Sequence, residues 1–247
     1  MSNFLTNKFI GLVHRGGADE TTENTIPAFQ YASDLGFKFI ETDVQASKDG
    51  VIVIFHDNDL SRMSDRKEKI SDLSFEEIKE IELKGGGKIP TLEETLITFP
   101  DLKFNIDVKT NDAVEGAAKV IGKFSKSENI CLASFSSKRL NKLRNILGQD
   151  FASSSSQKEV VGLLLNSIGL NISSSIGKCV QVPPSQWGVP IITKKFIDSM
   201  HNMGKKVHVW TIDDKDQMDN LYRLGVDGIM TDKPTALKEF LIGKGLF

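Results

Sequence analysis

From residue 103 onward, short β-type apolar runs alternate with longer stretches of helical periodicity. This rhythm constrains the fold more than any other feature of the chain. It predicts strand 103–108 then helix 112–124, strand 129–133 then helix 137–147, and strand 151–153 then helix 157–167. The series continues with strand 178–182 then helix 193–203, strand 206–211 then helix 214–224, and strand 228–230 then helix 234–242. Strand–helix–strand order implies parallel neighbours joined by right-handed crossovers. Two strands precede the series, 9–13 and 37–44. Between them lies a helix capped by Asn24 or Thr25, with Pro27 in its first turn and Gly36 at its end. Lys48-Asp49-Gly50 then turns the chain into a return strand from Val51 to Phe55, a hairpin signal. With the return strand set aside, eight strands remain. Eight such units in 247 residues predict an α/β protein of the (β/α)8, or TIM barrel, type. A doubly wound open sheet is the alternative.

The rhythm breaks once, between Asp57 and Pro100. Asp57 to Ile70 reads as a polar loop. Ser74-Phe75-Glu76-Glu77 and Thr91-Leu92-Glu93-Glu94 are capping-box patterns that each open a short helix. Lys84-Gly85-Gly86-Gly87-Lys88 lies between them; no P-loop Ser or Thr follows Lys88, so it reads as a flexible loop rather than a phosphate cradle. The chain is therefore expected to be one domain, 1–247, with a small insertion at 57–100 after the strand-2 hairpin. The serine clusters 153–156 and 173–175 are too short to be linkers.

Composition excludes several function classes. A net charge of −2 carries no electrostatic footprint for nucleic acid. The longest apolar runs fall far short of a membrane span, so no stable membrane insertion is expected. Met1 to Lys8 has no extended apolar stretch of the signal-peptide kind. A soluble cytoplasmic protein is the expectation, and the oligomeric state is left open. Cys131 and Cys179 lie in separate apolar runs with no metal-type spacing and are expected to be buried free thiols.

In a barrel of this type the site lies at the C-terminal ends of the strands. Charge gathers there. His14 and Arg15 end the first strand, Glu41 and Asp43 the second, Asp107 and Lys109 the third, and His208 and Trp210 the seventh. Residues two apart on a strand share a face, so Glu41 and Asp43 point together, as do Asp107 and Lys109. Three converging carboxylates repel one another unless a cation is present. A hard divalent ion, Mg2+ or Ca2+, satisfies them; so does an ion-pair network with Arg15 and Lys109. His14 and His56 at neighbouring strand ends suit a proton donor and acceptor. Arg15 and Lys109 suit an anionic group such as phosphate. Trp210 walls the mouth or packs in the core, and His208 faces the same way. His201, within a helix, reads as a surface or packing residue.

These residues carry a resemblance. His14-Arg15-Gly16, Glu23-Asn24-Thr25, Glu41-Thr42-Asp43-Val44-Gln45, Val53 to Asp57, Ile89 to Glu94, Asn105 to Lys109, Val209-Trp210-Thr211 and Gly225 to Pro234 stand in the order seen in glycerophosphodiester phosphodiesterases. The resemblance covers nearly the whole chain. It implies a TIM barrel with a small insertion and a divalent metal, Ca2+ or Mg2+, on Glu41, Asp43 and Asp107. It also implies His14 and His56 as general acid and base, with Arg15 and Lys109 holding the phosphate. The implied reaction is hydrolysis of a glycerophosphodiester, such as glycerophosphocholine or glycerophosphoethanolamine, to sn-glycerol 3-phosphate and an alcohol. Two positions depart from the family pattern: Asp107 stands where glutamate is usual, and Thr22 where proline is common. A lysophospholipase D acting on a larger lipid would use the same groups behind a more apolar mouth. A non-catalytic phosphodiester-binding barrel would not need the full set, and a sugar-phosphate isomerase or aldolase would not need three carboxylates.

Overall fold

The computed structural model describes residues 3–6, 8–170 and 175–247, so Met1, Ser2, Asn7, Asn171, Ile172, Ser173 and Ser174 lie outside the described residues. Its strands are β1 (Ile10–His14), β2 (Phe39–Ala46), β3 (Ile52–Ile54), β4 (Lys103–Val108), β5 (Ile130–Ala133), β6 (Ala152–Ser153), β7 (Cys179–Val182), β8 (Ser185–Gln186), β9 (Val189–Pro190), β10 (Lys206–Val209) and β11 (Gly228–Thr231). Its helices are α1 (Ile26–Asp34), α2 (Phe75–Ile78), α3 (Leu92–Thr98), α4 (Ala113–Phe124), α5 (Ser137–Leu147), α6 (Gln157–Ser167), α7 (Lys194–Asn202), α8 (Lys215–Leu224) and α9 (Pro234–Gly243).

The parallel strands follow the order β6-β5-β4-β2-β1-β11-β10-β7. The two ends of that path meet: Ser154 bridges Cys179 in parallel, Ser155 N–H donates to Cys179 O at 2.8 Å, and Lys178 N–H donates to Ser153 O at 2.8 Å. The open-sheet alternative is therefore excluded, and the eight parallel strands form a barrel. The hairpin is present as expected, with β3 antiparallel to β2 through Val44↔Ile54 and Ala46↔Ile52.

Local chemistry sets the helix ends. The Thr25 hydroxyl accepts from Ala28 N–H and opens α1, with Pro27 in the first turn. Ser74 and Glu77 form a complete capping box on α2, as Ser156 and Glu159 do on α6.

The apolar core divides into three parts. The largest lies between the barrel wall and its helices and includes Phe29, Phe104, Ile106, Leu140 and Phe196. A second fills the barrel's lower interior: Phe4, Ile10, Leu12, Phe39, Cys131, Ala152, Cys179 and Met230. Phe4 is fully buried and meets Phe39 edge-on at 5.3 Å, closing the floor. Cys131 and Cys179 are free, buried thiols with sulfurs 3.9 Å apart. The third part, from Val53 and Leu60 to Ile89, is a separate small core for the segment after the hairpin. Within 57–100, α3 stands apart from that small core; its Leu92 and Leu96 join the main cluster.

Candidate active site

Register puts the chemistry in two successive rows at the strand ends. Glu41 pairs with His14 on one side and Asn105 on the other, and Asp43 pairs with Asp107. The β1–α1 turn then folds back over these strand ends. Arg15, Gly16 and Gly17 follow one another with φ of 52°, 84° and 98°. A Cβ on Gly16 would lie 2.6 Å from the Ala28 Cβ, and one on Gly17 2.8 Å from the Pro234 ring, so glycine is required at both. Arg15 accepts the left-handed conformation at a cost of about 1 kcal/mol or more. Its amide donates to Glu41 O at 2.9 Å, and its guanidinium reaches across to β2.

His14 and His56 are each held by one aspartate through Nδ1. His14 Nδ1 lies 2.7 Å from Asp232 Oδ1, and His56 Nδ1 lies 2.7 Å from Asp57 Oδ1. A carboxylate there fixes the tautomer with the proton on Nδ1 and leaves Nε2 free for chemistry. For His14, Nε2 lies 3.7 Å from Glu41 Oε2. Burial pulls the His14 imidazole down, but the Asp232 bond and the Glu41 charge outweigh it and raise its pKa above the ordinary value.

Asp43 is the hub. Its Oδ1 takes Lys109 Nζ at 2.8 Å; its Oδ2 takes Asn24 Nδ2 at 3.1 Å and lies 3.2 Å from Arg15 Nε. Lys109 also bonds Asp107 Oδ2 at 2.8 Å. Burial would raise the Asp43 carboxyl, but Lys109 and Arg15 hold it well below the usual range. Glu41 goes the other way: burial and the neighbouring Asp43 charge push it far above the usual carboxylate range. Burial also raises Asp107.

The fit to a divalent ion rests on two atoms. Glu41 Oε2 and Asp107 Oδ1 are buried and have no hydrogen-bond partner. Together with Asp43 they present a hard-oxygen donor set of the kind that suits Ca2+ or Mg2+. The arrangement is not a closed cage: among the described residues no three His, Cys, Asp or Glu side chains converge as a metal site, and the Lys109 ammonium lies between Asp43 and Asp107. Both of the alternatives open in the sequence therefore leave a mark, the ion-pair network at Asp43 and the unpartnered oxygens on either side of it.

Trp210 follows β10 and is half-buried at the rim. It meets Phe135 edge-on at 6.0 Å, and Lys109 Nζ lies 5.6 Å from the Phe135 ring centre, so one wall joins the aromatic pair to the cation. His208 does face the barrel interior but lies a layer deeper, 1% exposed, level with Gln181 and Gly228. His201 is exposed on α7 and bonds Asp227 at 2.7 Å. The sequence assigns no part in the chemistry to Asp57, Asp232, Glu23, Asn24 or Arg62. The first four lie inside the recognised motifs, so their signal was adjacency to residues already singled out. Arg62, in the polar loop, carried none.

The family model for the "Glycerophosphoryl diester phosphodiesterase family" matches residues 14–236. A Mycobacterium tuberculosis protein named "Probable glycerophosphodiester phosphodiesterase 2" is 35% identical over 243 residues, covering 96% of this chain and 92% of its own length. A Caldanaerobacter subterraneus glycerophosphodiester phosphodiesterase is 29% identical, covering 96% and 99%. A solved Oleispira antarctica phosphodiesterase, in complex with the product sn-glycerol-3-phosphate, superposes with a TM-score of 0.80 at 22% identity, covering 94% and 96%. The motifs, the barrel and the matched length agree: this chain belongs to the glycerophosphoryl diester phosphodiesterase family.

Proposed function

We propose that this protein is a glycerophosphodiester phosphodiesterase that releases sn-glycerol 3-phosphate and an alcohol from substrates such as glycerophosphocholine and glycerophosphoethanolamine. One observation carries the reading. Two histidines, each bound at Nδ1 by an aspartate, stand at the same barrel rim as the Arg15–Asp43–Lys109 network.

Arg15 and Lys109 bind the phosphodiester anion and draw charge from its nonbridging oxygens, where negative charge grows in the transition state. The glycerol 2-hydroxyl lies next to phosphorus. One histidine takes its proton at Nε2 as the oxygen attacks; the other gives a proton to the leaving alkoxide, so the P–O bond to the alcohol breaks as the ring P–O bond forms. Intramolecular attack gains from proximity. Water then opens the cyclic phosphate with the two histidine roles reversed, which restores both protonation states. Asp57 and Asp232 keep each imidazole oriented through both steps. A divalent ion, Ca2+ or Mg2+, would be held by Glu41, Asp43 and Asp107, and when bound it supplies Lewis-acid stabilisation of phosphate charge. Trp210 would line the side of the mouth that receives the alcohol group.

The test is a metal screen against several glycerophosphodiesters, read by coupled detection of glycerol 3-phosphate. Release that depends on added Ca2+ or Mg2+ and stops with chelator is expected. A purified protein that releases none with any metal would leave the non-catalytic phosphodiester-binding reading standing. Equal turnover of a substrate lacking the 2-hydroxyl would sink the cyclic route.

A second reading is favoured by the rim itself. Phe135 is 53% exposed beside Trp210, and the β8–β9 hairpin carries Trp187 at its tip, 93% exposed. Apolar surface there suits the acyl chain of a lysophospholipid. Comparing hydrolysis of glycerophosphocholine with that of lysophosphatidylcholine separates the two. Among the described residues, no helix is long and apolar enough to cross a membrane.

A further inference from the structure

His56 and Arg15 come from different segments, and a single side chain ties them together. Arg62 lies in the loop that follows the hairpin. Its Nε donates to Asp57 Oδ2 at 2.5 Å; Nη1 donates to Glu23 Oε2 at 2.9 Å and Nη2 to Glu23 Oε1 at 2.7 Å. Asp57 gives its other oxygen to His56 Nδ1 at 2.7 Å. Glu23 Oε1 also accepts from Arg15 Nη1 at 3.0 Å, and Arg15 Nε lies 3.2 Å from Asp43. An unbroken chain of contacts therefore runs His56–Asp57–Arg62–Glu23–Arg15–Asp43.

We propose that Arg62 is a positioning residue for the hydrolysis. Through Asp57 it fixes the ring plane and tautomer of His56, and through Glu23 it fixes the guanidinium of Arg15. It thereby sets the separation between a proton-transfer group and a phosphate-binding group. The inference rests on the functional reading above.

The chemistry of the fork explains why arginine stands here. A guanidinium presents its donors in one rigid plane, so binding Glu23 through both terminal nitrogens fixes the direction of Nε. That direction pins the Asp57 carboxylate against rotation, and a pinned carboxylate holds the imidazole. A lysine ammonium has no such plane and cannot span both carboxylates in fixed geometry. Burial raises the Glu23 carboxyl, but Arg62 and Arg15 outweigh it and hold the group ionised. The Arg62 side chain itself is 47% exposed, whereas those of Glu23 and Arg15 are 9% and 15% exposed. The pair is part-buried, but Glu23 keeps its bond to Arg15 when Arg62 is removed, so the expected cost to global stability is small. Its weight falls on local order, and so on rate.

The exposed side of Arg62 opens on a cleft of about 430 Å³, bordered by Asp19, Glu23, Met63, Lys84 and Gly85. A free guanidinium ion can enter there, and that gives the proposal its test. Arg62→Ala is expected to lower kcat/KM on a glycerophosphodiester by about 10–100-fold, the usual effect of removing an orienting partner, with kcat falling more than KM rises. Arg62→Lys should recover little of the loss. Millimolar guanidinium should restore activity to Arg62→Ala, with no change in its thermal midpoint, and should not restore His56→Ala. In parallel, the 15N imidazole signal of His56, identified with His56→Ala, should lose its single tautomer in Arg62→Ala. Wild-type kcat and an unchanged His56 tautomer in Arg62→Ala would overturn the proposal. So would an activity loss that only tracks a lowered thermal midpoint and resists guanidinium. A wild-type protein inactive on every glycerophosphodiester would instead remove the functional reading, while the His56 signal would still report whether Arg62 orders the ring.

Discussion

His14 and His56 face the site by the same device, an aspartate on Nδ1, although the two aspartates come from opposite ends of the chain. Asp57 is the next residue after His56, whereas Asp232 lies 218 positions beyond His14. If both imidazoles move protons, His14→Ala and His56→Ala should each lower kcat by about 10²–10⁴-fold. Neither should move the thermal midpoint by more than a few degrees, since both side chains end in partly solvated positions. Paired activity assays and thermal melts check this. The histidines themselves were legible because a charged residue closing an apolar β run is an uneconomical way to build a core. Their partners were less so. Asp232 becomes a neighbour of His14 only when β11 pairs with β1, and nothing in local spacing records that pairing. Arg62 had no local signature at all. Its partners are set by the path of an irregular loop, where neither the strand nor the helix period applies.

At the scale of elements, strand and helix periods differ enough that the repeated units could be placed within a residue or two. The β8–β9 hairpin had no such signal, because two-residue strands around Trp187 and Gly188 leave no room for alternation. The 3-10 turn Asn3–Leu5, which bears Phe4, was equally silent; three residues carry no period, and only the barrel's open floor gives Phe4 a place. At the opposite end from the chemistry, strand starts are tied by Asp227. Its carboxylate accepts from Lys206 Nζ at 2.8 Å and Val207 N–H at 2.9 Å, and it bonds His201 at 2.7 Å. Burial raises this carboxyl, but Lys206, the Val207 amide and His201 outweigh it and hold it below the ordinary value. A depressed native pKa adds stability above the unfolded carboxyl's value, near 3.9, and the gain is lost as pH falls through the native value. Asp227→Ala should therefore cost about 1 kcal/mol at neutral pH, a figure already discounted for solvent screening of the ion pairs. The gap to the parent protein should close as pH drops below about 4. Denaturant melts at pH 7 and pH 3 measure both.

For the molecule as a whole, the closed ring was the most legible property, since eight βα units in this length leave few other ways to bury every strand. The quality of its closure was not legible. Seven of the eight junctions are ladders between named strands; the junction of β6 and β7 rests on the Ser154–Cys179 bridge and the two flanking amide bonds. Native-state hydrogen exchange should show this: the amides of Ser155 and Lys178 should exchange before those of Arg15 and Lys109, which donate to Glu41 O and Val44 O across the β1–β2–β4 wall. Equal protection all round the ring would contradict it.

That thin junction has a geometric address. Counting round the ring, it falls diametrically opposite the β1–β2 pair, the strands that carry His14, Glu41 and Asp43. A hoop under load yields at its weakest seam and swings about the far side, where relative displacement is least. Breathing of this barrel would turn about the very staves that bear the reactive groups, so the protein can flex, take up heat and relax while its chemistry stays at the fulcrum.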